Sequence, residues 1–223
     1  MVSPTNFVKD LGINGRLVPF FKAVCVYFVV GGGAPSLSTV ILKCAPILCL
    51  LVCVLLRTRD APSSQRGYGH AVCAGLALSV AGDALLVWDG EAQLALGLGA
   101  FAAAHVAYLC AFGWRPRRWR RGALLLVAAA AVGAALRPPE ALAPAVRAYA
   151  LLLAAMAWRG TARPGRQRAG ALLFLLSDAV LGYSLFGGSV PYKQVVVMST
   201  YYLGQLGIAL SALDPPPTPA ALH

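Results

Sequence analysis

Two aspartates stand inside otherwise apolar stretches, Asp83 within Val80-Ala81-Gly82-Asp83-Ala84-Leu85-Leu86 and Asp178 within Leu175-Leu176-Ser177-Asp178-Ala179-Val180-Leu181. An ionisable group placed in hydrocarbon costs about 3 kcal/mol on insertion scales, so it faces a helix-bundle interior and marks a functional path. Lys43, Arg147 and His105 are embedded in the same manner. Two carboxyls sharing a low-dielectric site do not easily both ionise, so one can give a proton while the other stabilises charge or activates water. That division of labour suits hydrolysis through an oxocarbenium ion. It would also suit an intramembrane aspartyl protease, but Val80 breaks the Gly-x-Gly-Asp signature and no Pro-Ala-Leu element follows Asp178, which discounts peptide cleavage. His105 and Tyr108 are three residues apart, as are Tyr202 and Gln205, so each pair shares a helix face. Tyr149 lies just beyond Arg147 and Tyr201 adjoins Tyr202, and a tyrosine offers a ring to a lipid chain and a hydroxyl to a polar atom. Each residue also has a structural reading: an interhelical hydrogen bond for His105, ordinary packing for Tyr201 and Tyr202, and ion pairs with Lys43 and Arg147 for the two aspartates. Lys43 and Arg147 could instead snorkel to the interface, and for Arg147 that is the better reading.

These residues need helices to hold them. The 223-residue chain is 59% hydrophobic and 12% charged, against roughly 45–50% and about 25% in soluble domains. The expectation is an all-α, polytopic transmembrane bundle. Apolar runs between turn signals predict eight spans, near 17–32, 37–56, 70–88, 92–113, 119–136, 141–158, 169–187 and 191–212. They form a single domain over residues 1–213, followed by a disordered tail at 214–223 whose Asp214-Pro215-Pro216-Pro217 cannot continue a helix. The first helix, preceded by Lys9 and Arg16, reads as a retained signal anchor. Twelve of the nineteen cations fall in the links after the second, fourth and sixth helices. That bias puts those links and both termini in the cytosol. It explains the net charge of +11 by topology, with attraction to anionic lipid second and nucleic acid excluded. The six cysteines fall within predicted spans as small buried hydrophobes and suggest neither a disulfide framework nor a zinc site.

Helical rise places Asp83, Asp178, Lys43 and Arg147 roughly 7 to 14 Å from the non-cytosolic ends of their helices, with His105 slightly deeper. One polar cavity in that half of the membrane follows. Gly82-Asp83-Ala84-Leu85-Leu86 also resembles Ser177-Asp178-Ala179-Val180-Leu181 four helices later, the pattern of a four-plus-four duplication.

The order of these motifs resembles the lysoplasmalogenase, or YhhN-like, family of eight-helix membrane proteins, nearest to its B-type animal branch. The resemblance spans nearly the whole chain. It is carried by Leu42-Lys43-Cys44-Ala45-Pro46, Gly82-Asp83-Ala84-Leu85-Leu86 and Phe101-Ala102-Ala103-Ala104-His105-Val106-Ala107-Tyr108. It continues through Ala148-Tyr149, Trp158-Arg159-Gly160, Leu176-Ser177-Asp178 and Thr200-Tyr201-Tyr202 with Gln205. The alanine- and arginine-rich stretch between 115 and 147 departs from the pattern. The resemblance implies hydrolysis of the vinyl ether bond of lysoplasmalogens, with no metal or organic cofactor, in the endoplasmic reticulum membrane. The partners are then a lysophospholipid substrate and membrane lipids, and small-residue helix faces permit a homodimer.

On this reading Asp83 and Asp178 are the acid/base pair, in either assignment. Lys43 is the first candidate for the phosphate and Arg147 the second. His105, Tyr108, Tyr149, Ser177, Tyr201, Tyr202 and Gln205 orient the acids or bind headgroup atoms. The rival from another class is a small lipid or solute transporter using the buried aspartates for binding or proton coupling. Its signature would be transport of unchanged substrate.

Overall fold

Prolines and capping groups set where the chain turns. The computed structural model describes residues 15–31, 33–162 and 164–213. The expected tail at 214–223, the region of Lys9, Gly32 and Arg163 lie outside the described residues. Eight helices follow in order: α1 (Val18–Val30), α2 (Leu37–Asp60), α3 (Ser63–Leu85), α4 (Glu91–Phe112), α5 (Trp119–Ala135), α6 (Ala143–Gly160), α7 (Arg166–Phe186) and α8 (Lys193–Leu213). No strand occurs among the described residues.

Ser36 opens α2, its hydroxyl accepting from the Thr39 backbone N–H at 3.2 Å. Pro19 and Pro144 sit in the first turns of α1 and α6, where a missing N–H costs nothing. All eight predicted helices are present, and the largest displacements flank Pro62. Helix α2 runs to Asp60 rather than 56, with Arg57 and Arg59 in its last turn complementing the helix dipole. Helix α3 starts at Ser63 rather than 70. Pro62 fixes that start, and the polar Ser63-Ser64-Gln65-Arg66 turn is helical although no apolar signal marks it.

The protein is an integral membrane protein: α2, α4, α7 and α8 are long and apolar enough to cross a bilayer, and α1 is a shorter apolar helix. Apolar side chains such as Leu37, Ile41, Leu96 and Leu124 stand on the outside, as lipid contact requires. Helix α3 packs on α2 and α4, α7 on α8, and α6 on α4, α5 and α7, while α1 and α8 both pack on α2. Helices α7 and α8 approach so closely that a Cβ on Gly170 would lie 2.6 Å from the Ile208 backbone N and 2.7 Å from the Gly204 carbonyl O. Only glycine allows this, and it brings the Asp178 helix hard against the Tyr201 helix. Of the six cysteines, all free thiols, Cys44 and Cys73 are buried as expected. Cys25 and Cys110 are instead exposed, because apolar does not mean interior when the surrounding medium is lipid.

The arginine-bearing links gather at one end of the bundle. Arg159 is wholly buried there, and its guanidinium donates to the carbonyls of Gly113 (2.6 Å), Pro116 (2.9 Å) and Arg117 (3.3 Å). Arg121 donates to the Thr161 carbonyl at 3.0 Å, and Trp158 Nε1 to Arg117 O at 2.8 Å. Arg159 is therefore a structural clamp, remote from the aspartates. Arg159→Met leaves three carbonyls without their charged donor and should cost about 3 kcal/mol. Thermal unfolding in detergent should show the loss, with the substrate KM of the surviving folded fraction unchanged.

Candidate active site

The opposite end of the bundle opens into a cavity of about 960 Å³, at the upper end of ordinary ligand sites. Gly33, the α3–α4 link from Trp88 to Glu91 and Lys193 form its mouth. Asp83, Asp178, Lys43, Tyr149, Ser177 and Tyr201 all line it.

Each aspartate is held by side chains from two other helices. Asp83 on α3 accepts the Tyr201 hydroxyl of α8 at Oδ2 (2.6 Å), and its Oδ1 lies 3.5 Å from the Lys43 ammonium of α2. That ammonium also reaches the Asp83 backbone carbonyl at 3.5 Å. Asp178 on α7 accepts the Tyr149 hydroxyl of α6 at Oδ2 (2.5 Å). His105 Nε2 on α4 lies 3.0 Å from the Tyr149 oxygen and 3.4 Å from the same Asp178 oxygen. With the Tyr149 proton given to Asp178, the hydrogen in the His105–Tyr149 contact comes from the imidazole, so His105, Tyr149 and Asp178 form a directed chain.

The two carboxyls thus differ. Both oxygens of Asp83 are engaged, one by a phenol and one by a cation, and its side chain is 3% exposed. Asp178 is 9% exposed, and its Oδ1 has no protein partner among the described residues. A lone open carboxyl oxygen on a cavity wall is the arrangement a proton donor needs.

Aromatic packing fixes these partners. The Phe174 ring stands edge-on to His105 (centroids 5.0 Å apart) and to Tyr201 (5.5 Å), so neither can swing away from its aspartate. Tyr108 and Gln205 lie behind the cavity wall, joined by a 2.7 Å hydrogen bond from the Tyr108 hydroxyl to Gln205 Oε1. The Tyr202 hydroxyl donates to the Lys43 carbonyl at 2.9 Å, and the Ser177 hydroxyl to the Val197 carbonyl at 2.9 Å. These four brace the helices that carry the site.

Two sequence expectations come out differently. Arg147 is exposed beside Gly133 of α5 and does not line the cavity, because it is two positions from Tyr149 and helical rotation turns it to another side. Lys43, expected to await a phosphate, has its ammonium on Asp83. The cation at the mouth is Lys193, next to Gln194, which donates to the Tyr27 hydroxyl at 3.3 Å. Neither Lys193 nor the cavity face of α5 was marked by sequence. Lys193 reads as part of a turn, and α5 as an undistinguished run of alanine, valine and leucine.

The sequence model of the YhhN family matches residues 38–212. Lysoplasmalogenase TMEM86B of Sus scrofa is 43% identical over 220 residues, covering 96% of this chain and 93% of that protein. Lysoplasmalogenase TMEM86A of Bos taurus is 37% identical over 235 residues, covering 96% and 94%. Lysoplasmalogenase TMEM86B of Homo sapiens is 40% identical over 208 residues, covering 90% and 87%. No solved structure matches the chain.

Proposed function

The chain belongs to the YhhN family, and on that premise we propose that it is a lysoplasmalogenase: it hydrolyses the vinyl ether bond of lysoplasmalogens to a fatty aldehyde and glycerophosphoethanolamine or glycerophosphocholine. The observation that carries the chemistry is the unequal pair lining one cavity, Asp83 bound at both oxygens and Asp178 open at one.

Asp178 gives its proton from Oδ1 to the β-carbon of the vinyl ether, and the electron pair of the double bond forms the new C–H bond. The resulting oxocarbenium ion is stabilised by the Asp83 carboxylate, whose charge Lys43 balances. Water adds to the carbon bearing the ether oxygen and returns a proton to Asp178, leaving a hemiacetal. Its collapse breaks the C–O bond, passes the hydroxyl proton to the departing glycerol oxygen and yields aldehyde and alcohol. His105 and Tyr149 orient Asp178, Tyr201 orients Asp83, and Lys193 with Gln194 at the mouth takes the phosphate.

All eight helices are read as spans, with the arginine-rich end in the cytosol and the cavity opening to the other side of the endoplasmic reticulum membrane. Helix neighbours support the four-plus-four reading. Contacts α1–α2, α2–α3, α3–α4 and α2–α8 become α5–α6, α6–α7, α7–α8 and α6–α4 on a shift of four helices. Each aspartate then draws one partner from its own half, Lys43 or Tyr149, and one from the other half, Tyr201 or His105. The site lies on the joint between halves.

Detergent-purified protein should release aldehyde from a lysoplasmalogen and leave an acyl-linked lysophospholipid intact. Failure of well-folded protein to release aldehyde would sink the assignment.

A further inference from the structure

The cavity walls differ in polarity from side to side. Helices α1, α2 and α8 contribute Tyr27, Thr39, Lys43 and Gln194. The same lining takes Leu125, Ala128, Ala129 and Val132 from α5 and Leu136, the residue that ends it, spaced to share one face, together with Ala179 and Gly182 of α7 and Leu94 and Leu98 of α4. Asp83 and Asp178 line the same cavity.

We infer that the apolar arm beside α5 is the seat of the substrate's single hydrocarbon chain, and that α5 is the side wall that selects it. This rests on the lysoplasmalogenase reading above. A lysoplasmalogen changes from polar to apolar at its vinyl ether, and in the cavity Asp83 is tied to the polar side through Lys43 and Tyr201 while Asp178 is tied through Tyr149 to α6, the helix on which α5 packs. From Leu125 to Leu136 the arm runs about 16 Å along α5. That is close to the hydrocarbon depth of one leaflet, about 15 Å.

The attachment of α5 suits a partition between cavity and lipid. Its only extensive helix contact among the described residues is with α6, and its only buried residues are Gly122, against the Trp158 ring, and Gly133, against Ala150. Its outer face carries Leu124 and Val127, 71% and 68% exposed. One helix therefore separates the arm from the bilayer, and the small side chains of Ala128 and Ala129 set the arm's width.

The test uses a 1-O-alkyl lysophospholipid, which the hydrolytic chemistry cannot cleave, carrying a diazirine in mid-chain. After irradiation of the detergent-purified protein, peptide mapping should find adducts on Leu125, Ala128, Ala129 or Val132 and on Ala179 or Gly182. Adducts confined to Leu124 and Val127 would overturn the inference, because the chain would then lie in the surrounding lipid. In parallel, Ala128→Phe should weaken competition by 16-carbon alkyl lysolipids about tenfold, the equivalent of about two displaced methylenes, and leave 8-carbon analogues unchanged. Ala129→Leu is the gentler second variant, expected to act in the same direction, and Leu124→Phe is the outward control with no effect. Equal weakening at both chain lengths, or none, would reject the seat. Labelling reads occupancy without turnover, so labelled protein that releases no aldehyde would refute the hydrolase reading alone.

Discussion

Asp178→Asn should lower aldehyde release by about 10²- to 10⁴-fold, the range a positioned general acid contributes. Asparagine keeps the shape of the side chain and still offers an oxygen to the Tyr149 hydroxyl, so the hydrogen bond from α6 to α7 survives. What disappears is the proton that Oδ1 would pass to carbon. The non-cleavable alkyl analogue should bind Asp178→Asn as it binds wild type, since nothing that contacts headgroup or chain has changed, and the thermal midpoint in detergent should stay close to wild type. The loss then falls on kcat and not on KM. Tyr149→Phe should act more weakly, about tenfold, because it removes one hydrogen bond that positions the acid and leaves the acid itself. Substantial turnover in a folded Asp178→Asn protein would move the proton donor elsewhere, with Asp83 next to be tested.

The aspartates were legible in the sequence because a charge inside an apolar helix is costly and therefore conspicuous. So was the existence of each helix, since glycine, proline and arginine punctuation separates the apolar runs. The partners were less legible, and the reason is rotational. Arg147 and Tyr149 lie in the same predicted span at nearly the same depth, yet only Tyr149 lines the cavity. A run that is apolar on every face gives no period from which to infer which side of the helix is inward. The same difficulty hid α5, whose cavity and lipid faces are both built from leucine, valine and alanine. Lys43 shows a different limit: its sequence position placed it inside a helix but could not say whether a phosphate or Asp83 would meet its ammonium. The early start of α3 was missed because hydropathy registers burial in lipid, whereas Ser63 to Arg66 are helical for a backbone reason, the fixed geometry at Pro62.

The Lys43–Asp83 pair admits two accounts, a brace between α2 and α3 or the charge that stabilises the oxocarbenium ion, and stability and turnover separate them. Asp83→Asn alone leaves an ammonium that is only 15% exposed facing a neutral amide. Breaking a buried pair from one side costs about 3 kcal/mol or more, and the residual exposure of Lys43 puts this case at the low end. Lys43→Met should destabilise to a similar degree, since it strands the 3% exposed carboxyl with only Tyr201 as partner. In the double variant Lys43→Met, Asp83→Asn no unpaired charge remains, the Tyr201 hydroxyl still has an acceptor, and stability should return to within about 1 kcal/mol of wild type. Turnover should not return. Loss of preorganised electrostatic stabilisation costs about 10²- to 10³-fold, and restoring the fold does nothing to replace the negative charge opposite the developing cation. A thermal unfolding series and an aldehyde-release series on the same four proteins give the complete cycle. If the double variant recovers both stability and turnover, Asp83 is a brace and Asp178 carries the reaction without it. Recovery of stability alone makes Asp83 the counter-charge of the transition state, with Lys43 retained to keep that charge tolerable inside the bundle.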